Sequence, residues 1–278
     1  GPMPGLRPVT SRNAAFQQWQ ALLTNRTKRH RTRSFLVQGV RPITMALRHG
    51  WQVDAVLVRA GKRSSWAAEL LRDTAAATHY ELAPELIAEL GEKEEQVPEA
   101  LLVVRTPPDD LDRIPTPVDA LVVAFDRPSS PGNLGTLVRS ADALGAHGVI
   151  VTGHAADLYD PRTVRATTGS LFGLPAVRAD GPDTVMAWVE RVRAAGVPLQ
   201  VVGTDENAPD ELAATDLTGP VLLVVGNETS GMSTTWAAAC DHLTRIPMAG
   251  TASSLNAAVS GSIALYEAAR QRAALPAR

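Results

Sequence analysis

Short apolar runs alternate with stretches of helical period along most of this chain, in the manner of a parallel α/β sheet. In the C-terminal part the runs ALVVAF, GVIVT, LQVVG, VLLVV and LTRI predict strands at 120–125, 148–152, 199–203, 221–225 and 243–246. Helices are predicted between and after them at 134–144, 184–194, 234–240 and 257–272. The N-terminal part opens with Phe16, Trp19, Leu22 and Leu23 at helical spacing, behind Ser11 as the expected N-cap. The polar run NRTKRHRTR, 25–33, reads as a loop. A strand FLVQG, a helix at 43–49, a strand at 55–58, helices at 65–76 and 84–90, and a strand at 101–105 follow. Four prolines and a run of aspartates in TPPDDLDRIPTPV mark a linker. The pattern therefore predicts an α/β chain of two domains, 1–106 and 119–278, joined by residues 107–118.

Three junctions stand out because each leaves an apolar run through small polar residues and enters a helical pattern. They are Asn133-Leu134-Gly135-Thr136-Leu137-Val138-Arg139, Gly226-Asn227-Glu228-Thr229-Ser230-Gly231, and Ile246-Pro247-Met248 with Ser254-Leu255-Asn256. Junctions of this kind belong to one end of a parallel sheet, where ligands bind. No G-x-G-x-x-G follows a strand, so an ordinary dinucleotide fold lacks its phosphate-cradling loop.

Charge sharpens the picture of the N-terminal part. The net charge of −2 hides an asymmetry: nine of 27 basic residues, and none of 29 acidic ones, lie in residues 1–53. A positive arm on an acidic body is the footprint of polyanion binding. Arginine outnumbers lysine 24 to 3, which suits bidentate contacts to phosphate. The lone Cys240 excludes an internal disulfide and a cysteine metal cluster, and the histidines and aspartates lack metal-ligand spacing. No apolar run approaches the roughly 20 residues of a membrane span, and no secretory leader is visible. The expectation is a cytoplasmic protein without metal or membrane attachment. Gly1-Pro2 ahead of Met3 reads as a protease-cleavage scar.

Together and in order, the three junctions resemble the motifs N-x-G-x-x-x-R, G-x-E-x-x-G and I-P-M…S-L-N of the SPOUT superfamily. Within it the chain is similar to the SpoU (TrmH-like) RNA ribose 2′-O-methyltransferases, over about residues 119–273. The resemblance implies a Rossmann-like parallel sheet with its C-terminal segment threaded into a trefoil knot that cradles S-adenosyl-L-methionine. Ahead of it, a smaller α/β domain would bind RNA. The implied cofactor residues are Gly203, Thr204, Gly226, Ile246, Met248 and Leu255. The implied catalytic residues are Arg139, Asn133, Glu228, Ser254 and Asn256. The basic arm, Arg12, Arg26, Lys28, Arg29, Arg31 and Arg33, with Arg165 further on, would meet the RNA.

The chemistry suits these residue types. Adenosylmethionine carries a sulfonium cation and no phosphate, so backbone groups can read it and glycines permit close approach. A guanidinium is too weak an acid to serve as an ordinary base, so Arg139 is expected to clamp a phosphate and polarise the 2′-hydroxyl. Asn133 is expected to cap the helix that follows it, and Asn256 reads equally as an N-cap. Glu228 is expected to orient Arg139 or the substrate ribose. The small residues of 257–264 invite close helix packing, where the resemblance implies a homodimer. Ribosomal RNA, with resistance to a ribosome-targeting antibiotic as the context, is the favoured substrate. A tRNA substrate, an RNA-binding protein without catalysis, and a nucleotide-binding oxidoreductase are the competing readings.

Overall fold

The computed structural model describes residues 5–91 and 96–276; the expected scar at Gly1-Pro2 lies outside them. The elements in chain order are β1 (Leu6–Val9), α1 (Ala14–Thr24), α2 (Arg26–Thr32), β2 (Ser34–Gln38), α3 (Val40–Arg48), β3 (Val53–Arg59), α4 (Ser65–Asp73), β4 (Thr78–Leu82), α5 (Pro84–Leu90) and β5 (Ala100–Arg105). They continue as β6 (Leu121–Asp126), α6 (Pro131–Ala143), β7 (Gly148–Thr152), α7 (Pro161–Ala166), β8 (Ala176–Ala179), α8 (Pro182–Ala194), β9 (Gln200–Thr204), β10 (Asp210–Glu211), β11 (Val221–Val225), α9 (Thr234–Ala239), β12 (His242–Arg245) and α10 (Ala257–Ala273). The chain forms two compact units. One comprises residues 1–107 together with Tyr159–Phe172, and the other Pro108–Leu158 with Gly173–Arg278.

The first unit holds a five-stranded sheet in the order β1-β4-β3-β5-β2. Strands β1, β4 and β3 pair in parallel, while β5 runs antiparallel to both β3 and β2. Helices α1 and α5 cover one face, where Phe16, Trp19, Leu22, Leu86 and Ile87 meet Leu36, Leu57 and Leu101. The segment Tyr159–Phe172 carries α7 and, although it lies beyond the expected linker, clusters with this unit. Phe35 packs against Tyr159, with ring centroids 4.8 Å apart, and the Trp51 indole N–H donates to the Phe172 carbonyl at 3.0 Å.

Two local expectations are corrected here. Asn13, not Ser11, caps α1, its Oδ1 accepting from the Phe16 amide at 3.0 Å. The basic stretch after α1 is a helix rather than a loop. The Asn25 side chain caps α2 by accepting from the Lys28 amide, and Arg29, His30 and Arg31 fall in its last turn, where positive charge suits the helix dipole. The helix stops at Arg33, which takes a left-handed conformation with φ 53°.

The second unit holds a seven-stranded sheet in the order β10-β12-β9-β11-β6-β7-β8, parallel at every pairing. Strands β6, β7 and β11 are buried along their whole length, as the centre of a sheet covered on both faces must be. Val122, Ala124, Ile150, Val201 and Val224 point towards Trp188 of α8 and Trp236 of α9. Alternate residues serve the other face, where α10 packs on β11 and on α6. Gly261 makes that close: a Cβ there would lie 2.6 Å from Leu137 Cδ1 and 3.1 Å from Val225 Cγ2. The stretch read as a linker is largely anchored, because Leu111 and Ile114 join the core around Trp188. Among the described residues no helix is long and apolar enough to cross a membrane.

Candidate functional site

Strands β12, β9 and β11 are neighbours and all end at one edge of the parallel sheet. Their exits, with the start of α10, enclose a cleft of about 370 Å³. That is within the roughly 300–1,000 Å³ of small-molecule sites. Thr204 at the end of β9, Gly226 and Glu228 after β11, and Ile246, Met248, Ser254 and Leu255 after β12 all line it. All seven were among the expected site residues, six of them within the motifs and Thr204 outside them. Gly203 was marked too but does not line the cleft. It sits within β9, and a Cβ there would strike Met232 Cε at 2.7 Å and Cys240 Sγ at 2.9 Å. Its smallness serves the packing behind the site.

The wall at Gly226 is built of backbone. A Cβ on this residue would fall 2.3 Å from the Met232 amide nitrogen and 2.5 Å from the Gly231 carbonyl carbon. The hairpin from Asn227 to Gly231 thus folds directly onto Gly226, and only glycine leaves it room. Glu228 rides on that hairpin. Its carboxylate accepts from the Ser129 amide and hydroxyl, both at 3.2 Å, and from the Ser130 amide at 3.4 Å. Desolvation alone would raise its pKa. The bonds from its own amide, from Ser129 and from Ser130 outweigh that and hold it below the usual carboxylate value. Among the described residues no hydrogen bond or ion pair joins Glu228 to Arg139; the two serines hold the carboxylate.

Asn133 does not cap α6, as the sequence suggested. The helix starts earlier, with Pro131 at its first position, and Ser130 is the cap, its Oγ accepting from the Asn133 amide at 3.2 Å. Asn133 is free to reach across to Asn256, whose Nδ2 donates to Asn133 Oδ1 at 3.3 Å. Asn256 is also the cap of α10, its Oδ1 accepting from the Ala258 and Val259 amides. The first and third motifs therefore touch, and Glu228 of the second bonds the serines just ahead of the first.

Arg139 lies two turns along α6, exposed, on the stripe that also carries Gly132 and Thr136. Among the described residues it has no hydrogen bond and no ion pair. It does not line the cleft of its own chain. Beside it α10 leaves Val259 and Tyr266 exposed, the latter at 57 %.

Asp205, Glu206 and Asn207 were missed by the sequence reading yet line the cleft. The available signal was the polar run TDEN placed directly behind a strand. Among the described residues no lysine, arginine or histidine lines the cleft, while three acids do: Asp205, Glu206 and Glu228. Nearby, burial and then the charge of Asp241 push the Cys240 thiol up to about 12, so it packs as an apolar group. Among the described residues no cluster of three or more metal-ligating side chains occurs.

In the first unit the basic residues divide. Lys28 and Arg31 are exposed on one side of α2, and Arg26 is half-buried. Arg29 is 2 % exposed and turned inward, its Nη1 donating to the Leu22 carbonyl at 2.9 Å with Asp160 4.0 Å away. Its expected place in the RNA-binding set is therefore corrected, because the fold buries it. Arg12 is paired with Glu89, and Arg33 reaches the Thr106 carbonyl at 3.4 Å. Arg165 is exposed on α7, in the same unit.

Residues 13–102 match the model of the SpoU L30e-like domain, and residues 120–266 that of the SpoU rRNA Methylase family. The sequence is 58% identical over 270 residues to the 23S rRNA (uridine(2479)-2′-O)-methyltransferase of Streptomyces viridochromogenes, covering 97% of this chain and 94% of that protein. The fold matches the SpoU methyltransferase AviRb of the same organism in complex with the cofactor AdoMet, with a TM-score of 0.89 and 57% identity over 95% of this chain and 99% of that one. It also matches the AdoMet-bound rRNA methyltransferase from Sinorhizobium meliloti, with a TM-score of 0.86 and 32% identity over 98% of this chain and 100% of that one.

Proposed function

We propose a substrate and a chemistry from one premise: the chain belongs to the SpoU rRNA Methylase family. It is an S-adenosylmethionine-dependent RNA ribose 2′-O-methyltransferase. Its substrate is 23S rRNA, at a uridine ribose as in the Streptomyces viridochromogenes relative. Resistance to a ribosome-targeting antibiotic is the biological setting we infer, and the cytoplasm the place.

The observation that carries the reading is the cleft, backbone-walled, at the carboxyl edge of β9, β11 and β12 and lined by no basic side chain among the described residues. A ligand with phosphates would find no cation there, whereas a sulfonium cation finds three acids among the lining residues. Thr204, Gly226, Ile246, Met248 and Leu255 would hold adenosylmethionine, which when bound supplies a methyl group on a positively charged sulfur. The chain's residues position the acceptor. Arg139, without a partner of its own, clamps the phosphate beside the target ribose and polarises the 2′-hydroxyl. The proton then leaves late, to phosphate, solvent or a transiently depleted guanidinium. Glu228, kept ionised by Ser129 and Ser130, orients Arg139 or the ribose. Ser254 and the Asn133–Asn256 pair hydrogen-bond the substrate. Alignment of oxygen, methyl and sulfur supplies much of the acceleration.

The reading extends to the finer architecture. The segment from β12 to α10, which closes the cleft, forms the trefoil knot. The first unit binds rRNA through Arg26, Lys28, Arg31 and Arg33 of the α2 region and through Arg165. Two chains associate through the exposed faces of α6 and α10, and light scattering should give twice the chain mass at micromolar concentration; a monomer there removes the dimer. Mapping of ribose methylation on rRNA from cells with and without the protein tests the function itself. A single 23S rRNA position that gains its methyl only with the protein is expected, and a tRNA position instead would move the substrate.

A further inference from the structure

The hairpin that carries Glu228 is closed within itself. Asn227 and Gly231 exchange backbone bonds of 2.9 and 3.1 Å, and Asn227 Oδ1 accepts from the Thr229 and Ser230 amides at 2.8 and 2.9 Å. Something must still fix this unit to the sheet. Arg127, the first residue beyond β6, does so from two sides. Its Nη2 donates to the Gly231 carbonyl at 3.0 Å, and its own carbonyl accepts from Asn227 Nδ2 at 2.6 Å.

Arg127 is held in place by unusual means. Its φ of 50° puts an arginine in the left-handed region, which residues with a Cβ enter only at a cost. The space for its stem exists because residue 153 is glycine: a Cβ there would lie 2.7 Å from Arg127 Cγ. Buried Asp126 braces the guanidinium, with Oδ2 accepting from Arg127 Nε at 3.2 Å and from the Ser233 amide at 2.9 Å. Asp126 Oδ1 accepts from Thr152 Oγ1 at 3.0 Å, which accepts in turn from Trp236 Nε1 at 3.1 Å. A strained backbone, a glycine cut to fit and a fully bonded buried carboxylate all serve one guanidinium, and its far end meets the hairpin. None of these residues belongs to the three motifs.

We propose that Arg127, braced by Asp126, is a positioning residue for methyl transfer: it sets the Asn227–Gly231 hairpin, and with it the Glu228 carboxylate, at the cofactor cleft. The proposal rests on the methyltransferase reading and touches neither cofactor nor RNA directly; Arg127 acts through Glu228. It predicts non-additivity. Arg127→Ala alone should lower kcat about tenfold or more at saturating cofactor and RNA, yet change kcat less than about twofold in an Glu228→Ala background, because the group it positions is gone. Arg127→Lys should recover little, since lysine lacks the planar fork that presents Nε to Asp126 Oδ2 and Nη2 to the Gly231 carbonyl at once. Equal losses in both backgrounds would overturn the proposal.

A second measurement does not depend on activity. Native-state hydrogen exchange of the 227–231 amides should quicken about tenfold in the Arg127→Ala and Arg127→Lys proteins, while amides of β3 in the first unit keep their wild-type rates. Unchanged exchange in the hairpin would also overturn the proposal. Wild-type protein that transfers no methyl group would count against the functional reading alone, and the exchange result would still decide whether Arg127 holds the hairpin.

Discussion

The cleft of the second unit and the basic helix of the first place their chemistry by opposite rules. In the cleft the work falls to backbone and small polar groups. Three adjacent parallel strands end side by side, a hairpin folds onto Gly226, and the side chains facing the space are neutral or acidic. A motif states which backbone turns are possible, so it locates such a site closely. In α2 the chemistry is formal charge, and a count of charges does not tell which way the helix is turned. Arg29 lies between exposed Lys28 and exposed Arg31 in sequence but points into the core. The difference teaches that the turns of a backbone-built site can be read from sequence, even where single lining residues such as Asp205 escape, whereas charged surfaces can be read only as a sum.

The sharpest way to break this contrast is at Arg139, the exposed cation to which the proposed mechanism assigns the phosphate beside the target ribose. It is exposed and unpaired among the described residues, so Arg139→Ala should leave thermal stability within about 0.5 kcal/mol of wild type. Methyl transfer should fall on the order of 10²-fold or more, as when one preorganised charge-stabilising donor is removed. Arg139→Lys should remain poor, because lysine lacks the planar fork. Adenosylhomocysteine binding, followed by calorimetry, should stay close to wild type. Near-normal turnover by the alanine protein would return Arg139 to the surface, and the cleft would then be a binding site whose chemistry lies elsewhere.

How much of this was legible follows from the same contrast. Strands β7 and β11 match the expected runs residue for residue, because strands buried on both faces are continuous apolar runs. Strand β4, THYEL, was missed because it is mostly half-buried and lacks such a run. Helix α7 was missed because Pro161 at its start and Thr167-Thr168-Gly169 at its end leave only six residues, too few for a period to show. Its membership in the first unit depends on Tyr159 and Phe172 meeting Phe35 and Trp51, contacts that no local pattern encodes. Asn133 was misjudged as a cap because Ser130-Pro131 offers the better start three residues earlier: the serine hydroxyl caps and the proline needs no N–H partner. Gly203 was drawn into the cofactor set by its glycine, although the glycine serves the contacts with Met232 and Cys240.

A smaller effect sharpens the other side of the comparison. Arg29 and the pair Lys28 and Arg31 carry the same formal charge on one short helix, yet the structure gives them separate duties. Arg29→Ala removes a buried guanidinium that satisfies the Leu22 carbonyl and faces Asp160. Leaving the Leu22 carbonyl unmet, and Asp160 with Arg162 but without its buried cation, should cost about 1–3 kcal/mol of stability and lower the melting temperature. Its folded fraction should still bind RNA with the wild-type dependence on salt, because a buried charge releases no counterions from the nucleic acid. Lys28→Ala with Arg31→Ala should do the reverse. Both side chains are exposed, so stability should stay within about 0.5 kcal/mol. Affinity for an rRNA fragment should fall, and the slope of log affinity against log salt should flatten by about 1.5, the loss of two phosphate contacts. Melting curves and a salt titration on the two proteins read both halves. If the double variant lost stability and kept its salt slope, or Arg29→Ala flattened the slope at unchanged melting temperature, the assignment of inward and outward charge on α2 would be reversed.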